Sequence, residues 1–371
     1  MKGVGMANLI TRASKAIGFK LKGLPIVRQS DVLTVLCYHR VGHLRDDQFH
    51  GFRPNFSATP DQFALQMKLF RSFFSPVSLE EVLLWRDKGK PLPPRAVLVT
   101  FDDGYRDNGE IAWPIMRDLS IPGIVFLATD HIGTAKPFLW DFAAYCYEAT
   151  SHRHASVPLL GETSLFTKQE RYAATSAWVS AVKQQPAQQR RGLMDALAVS
   201  LGVSPLSEVF SDLYLDWNEV RRLSREGLEF GGHTHTHPIL TRLPAIEACE
   251  EIAHCQSRLT AEIGHPARAF AYPNGSAQDY SPEHEEQVRQ AGFSIGFSLE
   301  PGPARLKELQ ERALAVRRLY VGMQDNVPRL LLKCAGGARF AEKWHNRGQY
   351  EFAGRERHIR MTKISVERSA R

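Results

Sequence analysis

The chain has 371 residues, 43% of them hydrophobic, and a formal net charge of +7. This suits one large α/β domain of roughly 250 residues with an insertion, or two domains, and excludes a disordered chain. The charge is uneven: residues 1–30 hold six Lys/Arg and no acids, residues 335–371 carry +5, and residues 31–334 are left with −4. That balance argues against a nucleic-acid groove in the main body and permits the basic ends a peripheral contact with the inner membrane or with a lipid-linked substrate.

Residues 1–30 read as a basic segment, mildly amphipathic over Ala7–Lys20, with no apolar run long enough for a secretory signal. No stretch approaches the length of a spanning helix, so a cytoplasmic, membrane-peripheral location is expected. Residues 31–334 form the main domain and 335–371 a basic tail. The cysteines at 37, 146, 249, 255 and 334 are odd in number and contain no Cys-x-x-Cys, so no disulfide framework is expected. Cys37 and Cys249 read as small core residues.

In chain order, Val32–Val41 is a buried strand ending in the polar pair Tyr38-His39. A helix is expected over Ser57–Phe74, with Thr59, Pro60 and Gln62 in a capping-box pattern, and a second from Ser78 to Gly89. Ala96–Phe101, entered through Pro93-Pro94, is a short β-branched strand, and it runs into Asp102-Asp103-Gly104. Asp107–Leu119 should be a helix and Gly123–Thr129 a strand. Residues 131–212 break the alternation with a helical stretch over Leu139–Ala149, a further helix over 168–200, and no strand signal; they read as an α-helical insertion shaping substrate choice. Alternation resumes with a helix capped by Asp216 and Glu219, a strand at Leu228–Phe230, and the run Gly231-Gly232-His233-Thr234-His235-Thr236-His237-Pro238. An amphipathic helix over 245–263 should bury Ile246, Cys249, Ile252, Leu259 and Ile263. Strands at Arg268–Tyr272, Phe293–Phe297 and Arg317–Val321 complete the set. Strands alternating with helices indicate a parallel sheet, and every polar motif sits at a strand's C-terminal end, as a (β/α) barrel site requires.

Two adjacent carboxylates at a strand end are readily held by a cation or divided between roles, although Asp-Asp-Gly is also common in turns. Three histidines within five residues strengthen the first reading. A neutral imidazole pair, His233 and His237, with one carboxylate is the ligand set of a catalytic zinc. His235 is the spare and should face away.

Thr100-Phe101-Asp102-Asp103-Gly104, then His233-Thr234-x-x-His237, then Ala271-Tyr272-Pro273-Asn274-Gly275 resembles the NodB-homology polysaccharide deacetylases of the carbohydrate esterase family 4 type, over roughly residues 31–325. The resemblance implies a distorted (β/α) barrel of about seven parallel strands. It implies Asp103, His233 and His237 as ligands of a divalent metal, Zn2+ with Co2+ or Ni2+ as alternatives. It implies Asp102 as the general base, and Tyr272, Pro273 and Asn274 as the segment that meets the oxyanion or substrate. Two departures stand out. The arginine that begins the third motif in much of the family is Ala271 here, and Arg268, three residues earlier, should point to the opposite face. The family's late Leu-x-His is missing, with no histidine between 285 and 344. An exopolysaccharide-associated subgroup with a Tyr-His strand end is more similar, which makes His39 the candidate general acid. Arg317 or Arg318 could meet an anionic group of the substrate, and Trp140 or Trp217 could stack on a sugar, with core packing favoured for Trp217. The expected function is a metal-dependent hydrolase removing N-acetyl groups from amino sugars of a polysaccharide or its lipid- or nucleotide-linked precursor. The alternatives are a non-catalytic carbohydrate-binding relic, or an O-deacetylase or deformylase of a lipid-linked sugar. A two-metal phosphoesterase would want more carboxylates.

Overall fold

The computed structural model describes residues 31–45, 49–204 and 207–337. The basic N-terminal segment and all but the first three residues of the basic C-terminal segment lie outside the described residues. Among those described, no helix is long and apolar enough to cross a membrane.

The main sheet is built from β1 (Val32–Tyr38), β5 (Ala96–Phe101), β6 (Gly123–Leu127), β9 (Glu229–Gly232), β10 (Ala269–Ala271) and β11 (Ile295–Phe297), all mutually parallel. Their order runs β11-β10-β9-β6-β5-β1. Short strand β4 (Ser75–Pro76) pairs in parallel with the start of β5, and β12 (Ala304–Arg305) pairs antiparallel with β1 at the edge. The sheet curls until its edges meet through one segment. Val316 bridges Phe297 of β11, and β13 (Leu319–Tyr320), immediately beyond, pairs in parallel with Leu36 and Cys37 of β1. With β13, and leaving aside the two-residue β4, this makes the expected distorted barrel of seven parallel strands among the described residues. A two-stranded ribbon of β2 (Arg40–Val41) and β3 (Phe56–Ala58) continues from the end of β1.

Period-2 alternation gives the strands two apolar faces. Leu33 and Val35 of β1, Ala96 and Leu98 of β5, Ile124 and Phe126 of β6, and Ala269 and Ala271 of β10 share one cluster. Leu36, Val97, Val99, Val125 and Phe270, of opposite parity, share another with the helices. Those helices start where the capping patterns place them. Thr59 and Ser78 cap α1 (Pro60–Phe73) and α2 (Leu79–Lys88) with complete capping boxes, and Gly89 ends α2 in the left-handed region. Asp216 does the same for α7 (Trp217–Arg225). The close approach of β6, β9 and β10 depends on Gly231: a Cβ there would stand 2.6 Å from both the Ala269 carbonyl oxygen and the Phe126 ring.

Four local expectations are corrected. The helix expected over Asp107–Leu119 opens with a π-helical turn over Asn108–Ala112 before α3 (Trp113–Asp118). There Asn108 Nδ2 donates to the His39 carbonyl and Asp107 accepts from Arg40 and from the Val41 amide. These side-chain bonds compete with regular helix geometry. The insertion contains strands: β7 (His154–Val157) and β8 (Gly161–Ser164) form an antiparallel hairpin between α4 (Leu139–Ala149) and α5 (Lys168–Lys183). These four-residue strands are too small and polar to show a β pattern, and only Ala155 and Val157 turn inward. The single helix expected over 168–200 is two, because Pro186 separates α5 from α6 (Ala187–Ser200). On α8 (Ala245–Ile263) the buried stripe is Ala248, Ile252, Cys255 and Leu259, while Ile246 and Cys249 are exposed. Cys255 settles the face by packing under the β6 end, its Sγ 3.7 Å from the Leu127 carbonyl oxygen.

The insertion has a hydrophobic cluster of its own, including Trp178, Tyr147, Leu165 and Leu197, which joins the barrel at Tyr105 and Tyr214. Asp141 of α4 fastens that junction, accepting from the Tyr105 and Tyr214 hydroxyls at 2.8 and 2.7 Å and from the Phe52 amide at 2.7 Å.

Candidate metal centre and active-site cleft

Strand register assembles the site. Pairing of Tyr38 with Phe101 places His39 and Asp102 side by side, each one residue past its strand. Pairing of Leu127 and Phe270 with Gly232 brings His233 to the same end. Beyond the strand ends the backbone turns through the left-handed region at Asp103 (φ 76°), Thr234 (φ 64°), His237 (φ 61°) and Asn274 (φ 59°). Each non-glycine residue there costs on the order of 1 kcal/mol or more, and such positions cluster at functional sites. Glu251 of α8 braces the histidine loop by accepting from the main-chain amides of His235 (2.9 Å) and Thr236 (2.7 Å).

Asp103, His233 and His237 converge. The Asp103 Oδ1 lies 3.7 Å from His233 Nε2 and 3.4 Å from His237 Nε2, and the two Nε2 atoms are 3.2 Å apart. His233 Nδ1 donates to the Ala271 carbonyl at 2.7 Å, which leaves its Nε2 lone pair directed at the cluster. Burial pushes the His233 imidazole pKa down to about 4 and lowers that of His237 also. Burial opposes ionisation of Asp103, yet the contact with His237 and the surrounding imidazoles hold its pKa below the usual value. Both buried Asp103 oxygens lack a hydrogen-bond partner. An orphaned carboxylate and two imidazole nitrogens gathered at one point are unfavourable alone and fit a divalent cation.

Asp102 has a different environment. Arg318, fully buried, donates from Nη1 to Oδ1 at 2.6 Å and from Nη2 to Oδ2 at 2.7 Å. Its Nε donates to the Ser298 carbonyl at 3.0 Å, and Cys37 Sγ lies 3.4 Å from Asp102 Oδ2. Burial alone would raise the Asp102 pKa; the Arg318 guanidinium outweighs it and holds the carboxyl well below the usual carboxylate range. Here the expectation for the arginine pair is corrected. Arg318 meets no cleft solvent but grips Asp102, while Arg317 pairs with Glu300 at 3.2 Å. Arg268, as expected, points elsewhere and pairs with Glu80 and Glu229. The clue was parity: Arg318 is two residues after the inward-facing Val316.

A cleft of about 240 Å³ opens over these groups and also exposes His39, Trp140, Lys183 and Asn274. The His39 Nδ1 is buried without a partner, and its ring packs against Tyr320 at 5.6 Å. His235 turns away to Thr129, with 2.9 Å between Nδ1 and Oγ1. Trp140 stacks on Phe138 at 4.6 Å with its edge toward His237, whereas Trp217 is a core residue. Of the third motif, Asn274 reaches the cleft, but the Tyr272 side chain does not. Alternation along β10 sends Tyr272 outward, where it stacks on Tyr280 at 4.2 Å, and its amide is taken by the Phe297 carbonyl. Pro273 lies buried between them. Lys183, from the end of α5, lines the cleft without any sequence motif to mark it, as do Phe52, Asn55, Leu299 and Tyr320.

A curled parallel barrel with an Asp-Asp-Gly strand end facing a His-x-x-x-His loop defines a class, and comparison with known proteins names it. Residues 89–296 match the profile of the polysaccharide deacetylase family, and the chain belongs to that family. A poly-beta-1,6-N-acetyl-D-glucosamine N-deacetylase of Staphylococcus aureus (strain N315) is 36% identical over 80 residues, 21% of this chain and 27% of that protein. The protein of the same description from Staphylococcus epidermidis is 27% identical over 112 residues, 25% of this chain and 38% of that one. The chain thus spans between about a quarter and two fifths of the length of these curated relatives. Two solved structures share the fold. Streptococcus pyogenes deacetylase PplD in complex with acetate has TM-score 0.53 and 14% identity, over 81% of this chain and 97% of that one. IcaB from Ammonifex degensii has TM-score 0.52 and 20% identity, over 82% and 97%.

Proposed function

We propose that this protein is a metal-dependent N-deacetylase acting on N-acetylated amino sugars of a polysaccharide or its lipid- or nucleotide-linked precursor. The observation that carries the reading is the division of labour between adjacent carboxylates: Asp103 orphaned beside two imidazole nitrogens, Asp102 clamped by Arg318. Family membership and the N-deacetylase activity for which the staphylococcal relatives are named support it.

Asp103, His233 and His237 would hold the cation, with Zn2+ favoured by the mixed nitrogen and oxygen donors and Co2+ or Ni2+ as alternatives. When bound, the cation acts as a Lewis acid toward the acetamide carbonyl and makes water a better nucleophile. Asp102 accepts the proton of the attacking water. Arg318 engages one lone pair on each carboxylate oxygen and Cys37 adds a contact at Oδ2, so Oδ1 retains the better-placed free lone pair. Arg318 keeps Asp102 ionised and aimed, which makes it a positioning residue. His39, across the cleft, donates a proton to the leaving amine nitrogen. Asn274, which follows Pro273 and lines the cleft, would supply polar contacts as charge develops on the carbonyl oxygen. Arg318 also weakens the case for a non-catalytic relic, because an arginine from the closing segment takes the place that Ala271 leaves empty.

The test is acetate release from N-acetylhexosamine oligomers by metal-stripped protein before and after adding zinc or cobalt. Release should require metal, and Asp102→Asn should bind metal normally yet lose roughly 10²–10⁴-fold in rate. Release from O-acetylated but not N-acetylated oligomers would convert the reading to an esterase; metal-independent release would overturn it.

A further inference from the structure

Beside the metal cluster lies a larger cavity of about 530 Å³, which shares Trp140, Lys183, His237 and Asn274 with the cleft. Its far wall is the α5–α6 corner of the insertion, and that wall is cationic. Lys183 ends α5, and Arg190 and Arg191 lie in the first turns of α6. Arg190 is tied to the corner by donating to the carbonyls of Lys183 and Gln185, which fixes its guanidinium beside the cavity. The cavity's other cation, Lys136, is neutralised by Asp130 at 2.7 Å, and Asp195 is the remaining acid on the wall.

Lys183 carries the strongest signal. Its Nζ donates to Asn274 Oδ1 at 3.1 Å and lies 5.0 Å over the Trp140 ring, and among the described residues it meets no carboxylate at ion-pair distance. Burial lowers its pKa. The Asp103 and Asp279 carboxylates attract it from beyond contact distance, but its direct contacts are a neutral amide and a ring, which leaves the ammonium open to an arriving anion. Arg190 is in a similar position: burial and repulsion from Arg242 both lower its pKa. The end of α6 adds to this field, since its N-cap is Pro186, which offers no side-chain acceptor to the first-turn amides. Phe138 and Met194 complete the cavity with apolar surface suited to the C–H face of a sugar.

We propose that this cavity is a subsite for an anionic group, phosphate or carboxylate, on the saccharide next to the acetamido sugar being hydrolysed. The inference deepens the deacetylase reading and rests on it. The substrate would then be a charged glycan or a sugar phosphate rather than a neutral homopolymer. Lys183 would be the residue joining the two halves of the site, through Asn274 on one side and the anion on the other.

Binding and turnover separate the two ideas. Titration calorimetry of the zinc-loaded protein should compare N,N′-diacetylchitobiose, its 1-phosphate, and a glucuronate-bearing disaccharide of N-acetylglucosamine. At least one charged probe should bind roughly tenfold tighter than the neutral one, with the advantage shrinking as salt is added. The charged probe that gains identifies phosphate or carboxylate as the source. Lys183→Met and, separately, the exposed Arg191→Gln should shrink the ratio of charged to neutral affinity. Arg191→Gln keeps the test valid should Lys183→Met fail to fold. Equal affinities for all three probes in the wild-type protein would overturn the subsite. Acetate release from the neutral disaccharide, measured in parallel, bears on the deacetylase reading alone.

Discussion

Asp102 and Asp103 are neighbours in sequence with the same side chain, and their surroundings are opposite. Asp103 has no hydrogen-bond partner for either buried oxygen; Asp102 has a bidentate guanidinium. Removing the clamp tests the second half of that contrast. Arg318→Met leaves a buried carboxylate uncompensated, at a cost of about 3–5 kcal/mol near neutral pH. The sign with pH follows from the Asp102 pKa, lowered in the folded protein. Its ion pair stabilises above the ordinary carboxylate pKa and is lost as pH falls toward the depressed one, whereas the unclamped Asp102 takes up a proton readily in acid. The gap in thermal midpoint between wild type and Arg318→Met should therefore be widest above about pH 5 and narrow as the pH drops below about 4; a gap independent of pH would mean the pair is not the origin of the effect. His39→Ala should keep bound metal and fold stability while slowing acetate release by roughly 10²-fold, read as kcat at saturating oligomer. A wild-type rate would leave the leaving-amine proton to another donor.

At the scale of elements, the candidate ligands are braced by residues outside their own cluster. The histidine loop carries two residues in the left-handed region, Thr234 and His237, and its amides are tied to Glu251 on α8. Glu251→Ala should leave the barrel folded but release that loop, lowering metal affinity by roughly 10–100-fold, measured by competition with a chelator; unchanged affinity would show that the strand ends alone fix the ligand geometry. The capping boxes of α1, α2 and α7 and the strands at Ala96–Phe101 and Gly123–Leu127 were all legible, because caps and buried β-branched runs are local signals. The hairpin of β7 and β8 was not, since its residues are small and its pairing is with the next few residues rather than with a core strand. The exposed face of α8 was misread because 19 residues of helix offer more than one apolar stripe, and only the barrel beneath chooses between them.

The whole molecule is a barrel that owns the chemistry and an insertion that owns the approach to it. The candidate metal-ligand trio and Asp102 all come from barrel strand ends, while Trp140 and Lys183 come from insertion helices with a separate core around Trp178. Trp178→Ala should destabilise the insertion by about 3–5 kcal/mol and raise KM for oligosaccharides, yet leave metal content unchanged by elemental analysis. Loss of metal together with substrate affinity would mean that the two units are one cooperative body.

The sequence alone determined the barrel class and singled out Asp102, Asp103, His233 and His237 as site candidates, because strand-end motifs are short and their chemistry requires particular residue types at close spacing. It could not determine what lies 216 residues from Asp102 along the chain, where Arg318 restores the clamp missing at Ala271. Nor could it show that Tyr272 faces away, that Arg317 and Arg318 part company, or that Lys183 reaches the cleft. These depend on closure of the sheet and docking of the insertion, and such long-range contacts leave no periodic trace in the residues that make them.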